Sequence, residues 1–342
     1  MTAGSAQCLI DGKRIWSDVI GNLLGEREYL QIERTLARKH RYYSIENAPR
    51  VAAFGYSVGK CFAQSFAVDR DLLDYAATTV SLLNVSLSLF DKVCDLHSDM
   101  LPKLIDRVNR DALSLALSHD KTQTHDFPTV LQDDEAVLRV IFVSFREYSK
   151  RIRNLYEHSN RSHLWLENRN TLLALYDSEL RSRDLRLSKA NGIENSISVL
   201  RNKSSLLLWA FALVPLLCDS SWVPDSVDPL RHSILRVGDV FWIVDDIVDA
   251  AEDFRSSTCS YLWLNFLRKS GSLSVLDGIS EDEALEMVVR SGTLEAASED
   301  LCRSYFEGLT SLEKILPLSS NLDEVCLFWV KNWLGPPPGP AW

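Results

Sequence analysis

Apolar residues recur three and four apart along most of this chain, and that spacing restricts it to helices. Val137, Ile141, Phe145, Tyr148, Ile152 and Leu155 form one such stripe; Leu301, Tyr305, Leu309, Leu312 and Leu316 form another. Side chains at these intervals share a face only when the backbone turns once every 3.6 residues. Runs that alternate apolar and polar residues between turn residues, the mark of a strand, are few. A long helix is predicted over 70–99, with Asp69 as N-cap and Asp71 and Asp74 in its acidic first turn. Further helices are predicted over 101–118, 128–158, 164–186, 192–217, 225–254, 281–290 and 294–316. Polar, Gly and Pro residues cluster in the breaks at 119–127, 219–227 and 269–278, none long enough for an interdomain linker. With no repeat of 20–50 residues, a solenoid is excluded. The expected architecture is a single all-α domain over 1–334, followed by a flexible Pro/Gly tail at 335–342.

Composition narrows the function classes. The 342 residues carry 47 acidic against 37 basic side chains, a net charge of −10. A chain this acidic lacks the basic surface that nucleic-acid binding needs, although a bound cation could still recruit an anionic substrate. The apolar run from Leu206 to Leu217 is too short to cross a bilayer and contains Pro215, so a buried helix is expected and no membrane span. Asp11, Lys13 and Arg14 interrupt the start of the chain, where a signal peptide would need an unbroken apolar core. Seven cysteines are scattered without a C-x-x-C pair, which suits reduced thiols in the cytoplasm.

Chemistry concentrates in two acidic ridges. Asp91, Asp95 and Asp99 repeat every fourth residue, as do Asp245, Asp249 and Asp253, with Asp246 beside the first of these. On a helix each set projects from one face. Most acidic ridges are merely solvated, but these two are embedded in apolar sequence, the second between Val240-Phe-Trp-Ile-Val and Ile247-Val248. Like charges at this spacing repel, and burying them is costly unless a cation coordinates them. Oxygen-only donors without histidine suit Mg²⁺, which keeps waters and bridges to phosphates. Two facing ridges could therefore hold a metal cluster that receives a diphosphate.

At this point the sequence resembles the class I isoprenoid synthase superfamily, which includes trans-prenyl diphosphate synthases and class I terpene synthases. Phe241-Trp-Ile-Val-Asp-Asp-Ile-Val-Asp249 is similar to that family's second aspartate-rich motif, with a full D-D-x-x-D. Leu89-Phe-Asp-Lys-Val-Cys-Asp95 is similar to the first, although Lys92 stands where a second aspartate is usual. Asn202-Lys203-Ser204 resembles the family's lysine–threonine element and lies at a similar distance ahead of the second motif. The likeness spans roughly residues 54–261. It implies an antiparallel helical bundle with a central active-site cavity, a homodimer, and Mg²⁺ held by Asp91, Asp95, Asp245 and Asp249, the same four acting in catalysis. Asp99, Asp246 and Asp253 are weaker candidates for outer-shell or surface groups.

The implied reaction is ionisation of an allylic prenyl diphosphate. Lys203 and Arg255 are candidate contacts to the diphosphate, the bland alternative for each being a solvated surface cation. Phe90, Phe241 and Trp242 are candidate substrate-binding aromatics that could stabilise a carbocation, the alternative being plain core. Chain-elongating members carry a Gly-Gly-Lys-Arg-like loop and an arginine pair after the first motif. Here Gly55-Tyr-Ser-Val-Gly-Lys-Cys61 retains only Gly59 and Lys60, and no arginine pair follows Asp95 directly. These departures favour a one-substrate terpene synthase that cyclises or rearranges the chain. A trans-prenyl diphosphate synthase using isopentenyl diphosphate is the alternative. A non-catalytic, synthase-like regulatory subunit is a third.

Overall fold

Helix follows helix in the order the apolar stripes set. The computed structural model describes residues 3–26, 29–30, 48–96, 100–118, 136–159, 161–185, 192–218, 227–271, 276, 278–316 and 320–333. Among these no strand occurs. The chain opens with α1 (Ala3–Arg14), passes through a π-helical stretch (Ile15–Ile20) and continues as α2 (Gly21–Leu24). It then forms α3 (Ala48–Ser65), α4 (Arg70–Leu96), α5 (Leu101–Arg107), α6 (Arg110–Ala116), α7 (Ala136–Ser159) and α8 (Ser162–Asp184). After these come α9 (Ile193–Cys218), α10 (Val227–Val248), α11 (Ala250–Ser256), α12 (Tyr261–Ser270), α13 (Glu281–Arg290), α14 (Thr293–Glu313) and α15 (Ser320–Trp333).

Contacts divide the chain into two compact units. The first comprises Met1–Leu173 and Ala210–Trp222. In it α3 packs along α4, and α4 along α7. Small residues make the first of these contacts close: a Cβ added at Gly55 would lie 2.8 Å from the Ser81 Cα, and one at Gly59 would lie 2.7 Å from the Val80 Cβ. Polar residues within α4 then find partners on the neighbouring helices. Ser81 Oγ donates to the Ala52 carbonyl at 2.7 Å, Asn84 Nδ2 to the Val51 carbonyl at 2.7 Å, and Ser86 Oγ to the Ile141 carbonyl at 3.2 Å. Such bonds offset the cost of burying the groups. Tyr148, fully buried on α7, donates to Asn168 Oδ1 on α8.

The second unit comprises Ala174–Trp209 and Val223–Trp342. Here α10 packs along α14, while α12 and α13 close a core around Trp263, Leu264 and Val288. α8 and α9 supply residues to both units. α4 over Arg70–Cys94 and the whole of α9 are long and apolar enough to cross a membrane. However, 67% and 61% of their most apolar windows are buried inside the protein, so packing accounts for their apolarity.

The helix predicted over 70–99 is observed to Leu96, and residues 97–99 lie outside the described set. Over 101–118 two short helices replace the expected one. Val108 leaves helical geometry (φ −117°, ψ 67°), and the Asn109 side chain accepts from the Ala112 N–H, starting α6 with its own N-cap. The segment predicted as 225–254 divides at Asp249 (φ −92°, ψ 5°) into α10 and α11. Four stretches without a predicted helix are helical: α1 to α2, α3, α12 and α15. The tail at 335–342 lies outside the described residues.

Candidate active site

The first acidic ridge belongs to the first unit. Asp91 and Asp95 sit one turn apart near the C-terminal end of α4, Asp91 half-buried and preceded by the buried Phe90. Asp99 lies outside the described residues.

In the second unit the ridge runs from the end of α10 into α11. Asp249 breaks regular helix geometry, yet the Asp249 N–H still donates to the Asp245 carbonyl and the Asp253 N–H to the Asp249 carbonyl, each at 2.9 Å. The four-residue spacing of the ridge therefore survives the break. Asp245 is exposed and Asp249 half-buried, so this stripe is accessible. Asp246 does different work. Its Oδ2 accepts the N–H of Tyr261, the first residue of α12, where the Ser260 side chain makes no capping bond. A carboxylate there satisfies an orphan donor and complements the helix dipole. Burial pushes the Asp246 carboxyl well above its ordinary range; Asp253 and Asp245 add to the rise, while the Tyr261 bond and Lys203 oppose it.

Lys203 is thus close enough to act electrostatically on Asp246. Its Nζ lies 3.1 Å from Oε1 of Glu179, a buried residue on α8. Arg255 is exposed on α11 and pairs with Glu281, the first residue of α13, at 3.1 Å. Phe241 and Trp242 are both buried, at 7% and 5% exposure, and Trp242 packs edge-on against Tyr261 at 4.8 Å between centroids. Trp242 is part of a core with Ile243, Leu262 and Trp263.

The donor set of the second ridge fits a hard divalent cation. Asp245 and Asp249 present oxygen alone, one helical turn apart, leaving the remaining coordination positions to water or phosphate oxygens. Among the described residues no three His, Cys, Asp or Glu side chains are grouped closely enough to enclose a metal by themselves.

Two departures from expectation concern the rest of the chain. The segment Gly55–Cys61, compared above with a diphosphate-binding loop, lies within α3 and not on a loop. Its two glycines serve helix packing, and Lys60 sits over the Tyr56 ring at 5.7 Å. A cavity of about 550 Å³ in the first unit is lined by Leu72, Tyr75, Asn154, Arg161, Leu217 and others, and holds none of the predicted site residues. Tyr75 and Asp91 are 16 residues apart on α4, about 24 Å along the axis, so the cavity and the first ridge mark opposite ends of that helix.

Sequence reasoning missed Glu179, Arg201 and Asp239. Asp239 could have been found: a lone acid within Gly238-Asp-Val-Phe-Trp-Ile-Val must be paired if that run is buried. It is 4% exposed and salt-bridged to Arg201. Glu179 gave no comparable signal, because it sits in the charged run Asp177-Ser-Glu-Leu-Arg-Ser-Arg-Asp184, which reads as a solvated face.

No protein-family model matches the sequence, and no curated protein matches it. Solved structures do match. A decaprenyl diphosphate synthase from Rhodobacter capsulatus superposes with a TM-score of 0.60 at 16% identity, over 92% of this chain and 98% of that one. A geranylgeranyl pyrophosphate synthetase from Pyrococcus horikoshii Ot3 gives 0.61 at 15% identity, over 96% and 99%. A polyprenyl synthetase from Streptomyces coelicolor A3(2) gives 0.61 at 13%, over 94% and 98%. At these identities the likeness establishes the fold: all-α, of the isoprenoid synthase type.

Proposed function

We propose that this chain is a divalent-metal-dependent enzyme that ionises an allylic prenyl diphosphate. The observation that carries the proposal is the accessible Asp245/Asp249 ridge, next to the Asp246 carboxyl on which Lys203 acts, in a chain with the fold of prenyl diphosphate synthases. Asp245 and Asp249 would hold Mg²⁺, and the family resemblance implies the same role for Asp91 and Asp95. When bound, the metal would supply electrostatic stabilisation where negative charge develops on the departing diphosphate. Lys203 leaves Glu179 to donate to a diphosphate oxygen, adding a charge-assisted hydrogen bond. Asp246 keeps the end of α10 and the start of α12 together, so the neighbouring ridge is held in place.

The fate of the allylic group separates two readings. The structural neighbours are named as synthases of prenyl diphosphates, which supports transfer of the allylic group to isopentenyl diphosphate over the cyclisation favoured by the motifs. A one-substrate reaction has one observation in its favour: Gly55 and Gly59 are committed to packing α3 on α4 and do not form a second diphosphate cradle.

Incubating the protein with geranyl or farnesyl diphosphate and Mg²⁺, with and without isopentenyl diphosphate, and reading products by mass spectrometry decides between them. Elongation gives longer diphosphates only when isopentenyl diphosphate is present; a hydrocarbon or alcohol formed without it establishes the terpene synthase reading. A protein inert in both arms that alters the rate of a co-expressed synthase is the regulatory subunit. Homodimerisation is proposed from the family resemblance, and light scattering tests it.

A further inference from the structure

The second unit contains a polar node that the proposed chemistry does not use directly. Asp239 is buried on α10, one turn and a half before the exposed ridge begins. Arg201 Nε donates to its Oδ1 at 2.9 Å and Arg201 Nη2 to its Oδ2 at 2.6 Å, a bidentate pairing. Ser205 Oγ donates to Oδ1 at 2.6 Å and Ser304 Oγ to Oδ2 at 2.8 Å. The donors come from α9 and α14, so one carboxylate joins three helices.

The backbones approach closely at the same place. A Cβ at Gly238 would lie 3.0 Å from the Ser205 Cα, and one at Gly308 would lie 2.9 Å from the Val237 N. Glycine therefore brings both α9 and α14 against α10 within a residue or two of Asp239. A planar guanidinium fork on a carboxylate fixes direction as well as distance, which a sliding apolar contact does not.

Arg201 and Ser205 flank Lys203 in sequence, two residues on either side, and Asp239 is on the helix that carries Asp245. Resting on the reading that Lys203 contacts diphosphate, we propose that Asp239 is a positioning residue: through Arg201, Ser205 and Ser304 it sets the register of α9 against α10, and so places Lys203 against the Asp245/Asp249 ridge. Asp239 and Asp246 are seven apart and share one face of α10, both bound to other helices. Asp245 occupies another, and Asp249 follows it at the break into α11. α10 thus carries an anchoring stripe and the start of a working stripe of acids.

A double-mutant cycle tests this, with inorganic pyrophosphate and Mg²⁺ as the probe and affinity measured by calorimetry on the full chain. Lys203→Ala and Asp239→Asn should each weaken binding roughly tenfold, and the double variant should lose little more than either alone, because both remove the same contact. Ser304→Ala takes away one bond and keeps the ion pair, so it retains the fold if Asp239→Asn does not, and it should weaken binding in the same direction. A purely structural role would lower the melting temperature while leaving the affinity of the folded protein unchanged. Additive losses, or Asp239→Asn and Ser304→Ala proteins that bind like the wild type, would overturn the proposal while wild-type binding upholds the functional reading. A wild-type protein with no affinity for the probe would overturn both.

Discussion

Lys203 shows how a residue can be legible in kind and illegible in circumstance. Its place ahead of the second acidic motif marked it as a diphosphate contact, and in the structure its charge acts on Asp246 of that motif. Its pairing with Glu179 depends on a helix crossing that a single sequence does not encode. Since Glu179 holds the lysine away from an incoming anion, Glu179→Gln should tighten magnesium pyrophosphate binding by a few-fold, the scale of a partly exposed ion pair. Unchanged or weaker binding by calorimetry would show that Glu179 orients Lys203 and does not compete for it. Asp246 has a similar history: read as a weak outer-shell candidate, it caps α12, and nothing in D-D-x-x-D says which aspartate turns inward.

Cysteine chemistry gives a second prediction at this scale. Burial pushes the Cys61 thiol up to about 12, whereas Cys302 is exposed. A raised thiol value favours the neutral form in the folded state, so this contribution to stability is complete below the unfolded thiol's value. It is lost as pH rises through the folded one. Iodoacetamide at pH 8 should therefore alkylate Cys302 in the native protein and reach Cys61 only after unfolding, as read by peptide mass spectrometry. Equal labelling of both in the native state would contradict the packing of α3.

At the scale of elements, stripe periodicity located the long helices well and their ends poorly. The missed α3 contains Ala, Gly and Ser where a reader looks for large apolar residues, because its partner α4 comes too close for them. The same glycines were read as a loop, which shows that glycine in a helix facing another helix cannot be told from glycine in a turn by composition alone. The break between α5 and α6 was also written locally, in Asn109 as an N-cap, but the apolar pattern on both sides concealed it. Gly55→Ala should force α3 and α4 apart and destabilise the first unit by about 1–3 kcal/mol, measured by urea unfolding. A variant as stable as the wild type would mean that the crossing is looser than it stands.

For the molecule as a whole, the all-α class followed from periodicity and the isoprenoid synthase fold from the resemblance of the motifs to that family, and solved structures at 13–16% identity share that fold. What happens to the allylic group depends on side chains packed across helices, which spacing along one chain does not report. The central claim is that the acidic ridges support metal-dependent loss of diphosphate. Pyrophosphate release from an allylic prenyl diphosphate is its most direct measure, run on the wild type with Mg²⁺, with chelator, and on Asp245→Ala. Release should stop with chelator and return with Mg²⁺, and Asp245→Ala should fall by about 100-fold or more while its circular dichroism stays helical. Release that persists at the wild-type rate in Asp245→Ala, or in the presence of chelator, would contradict the account.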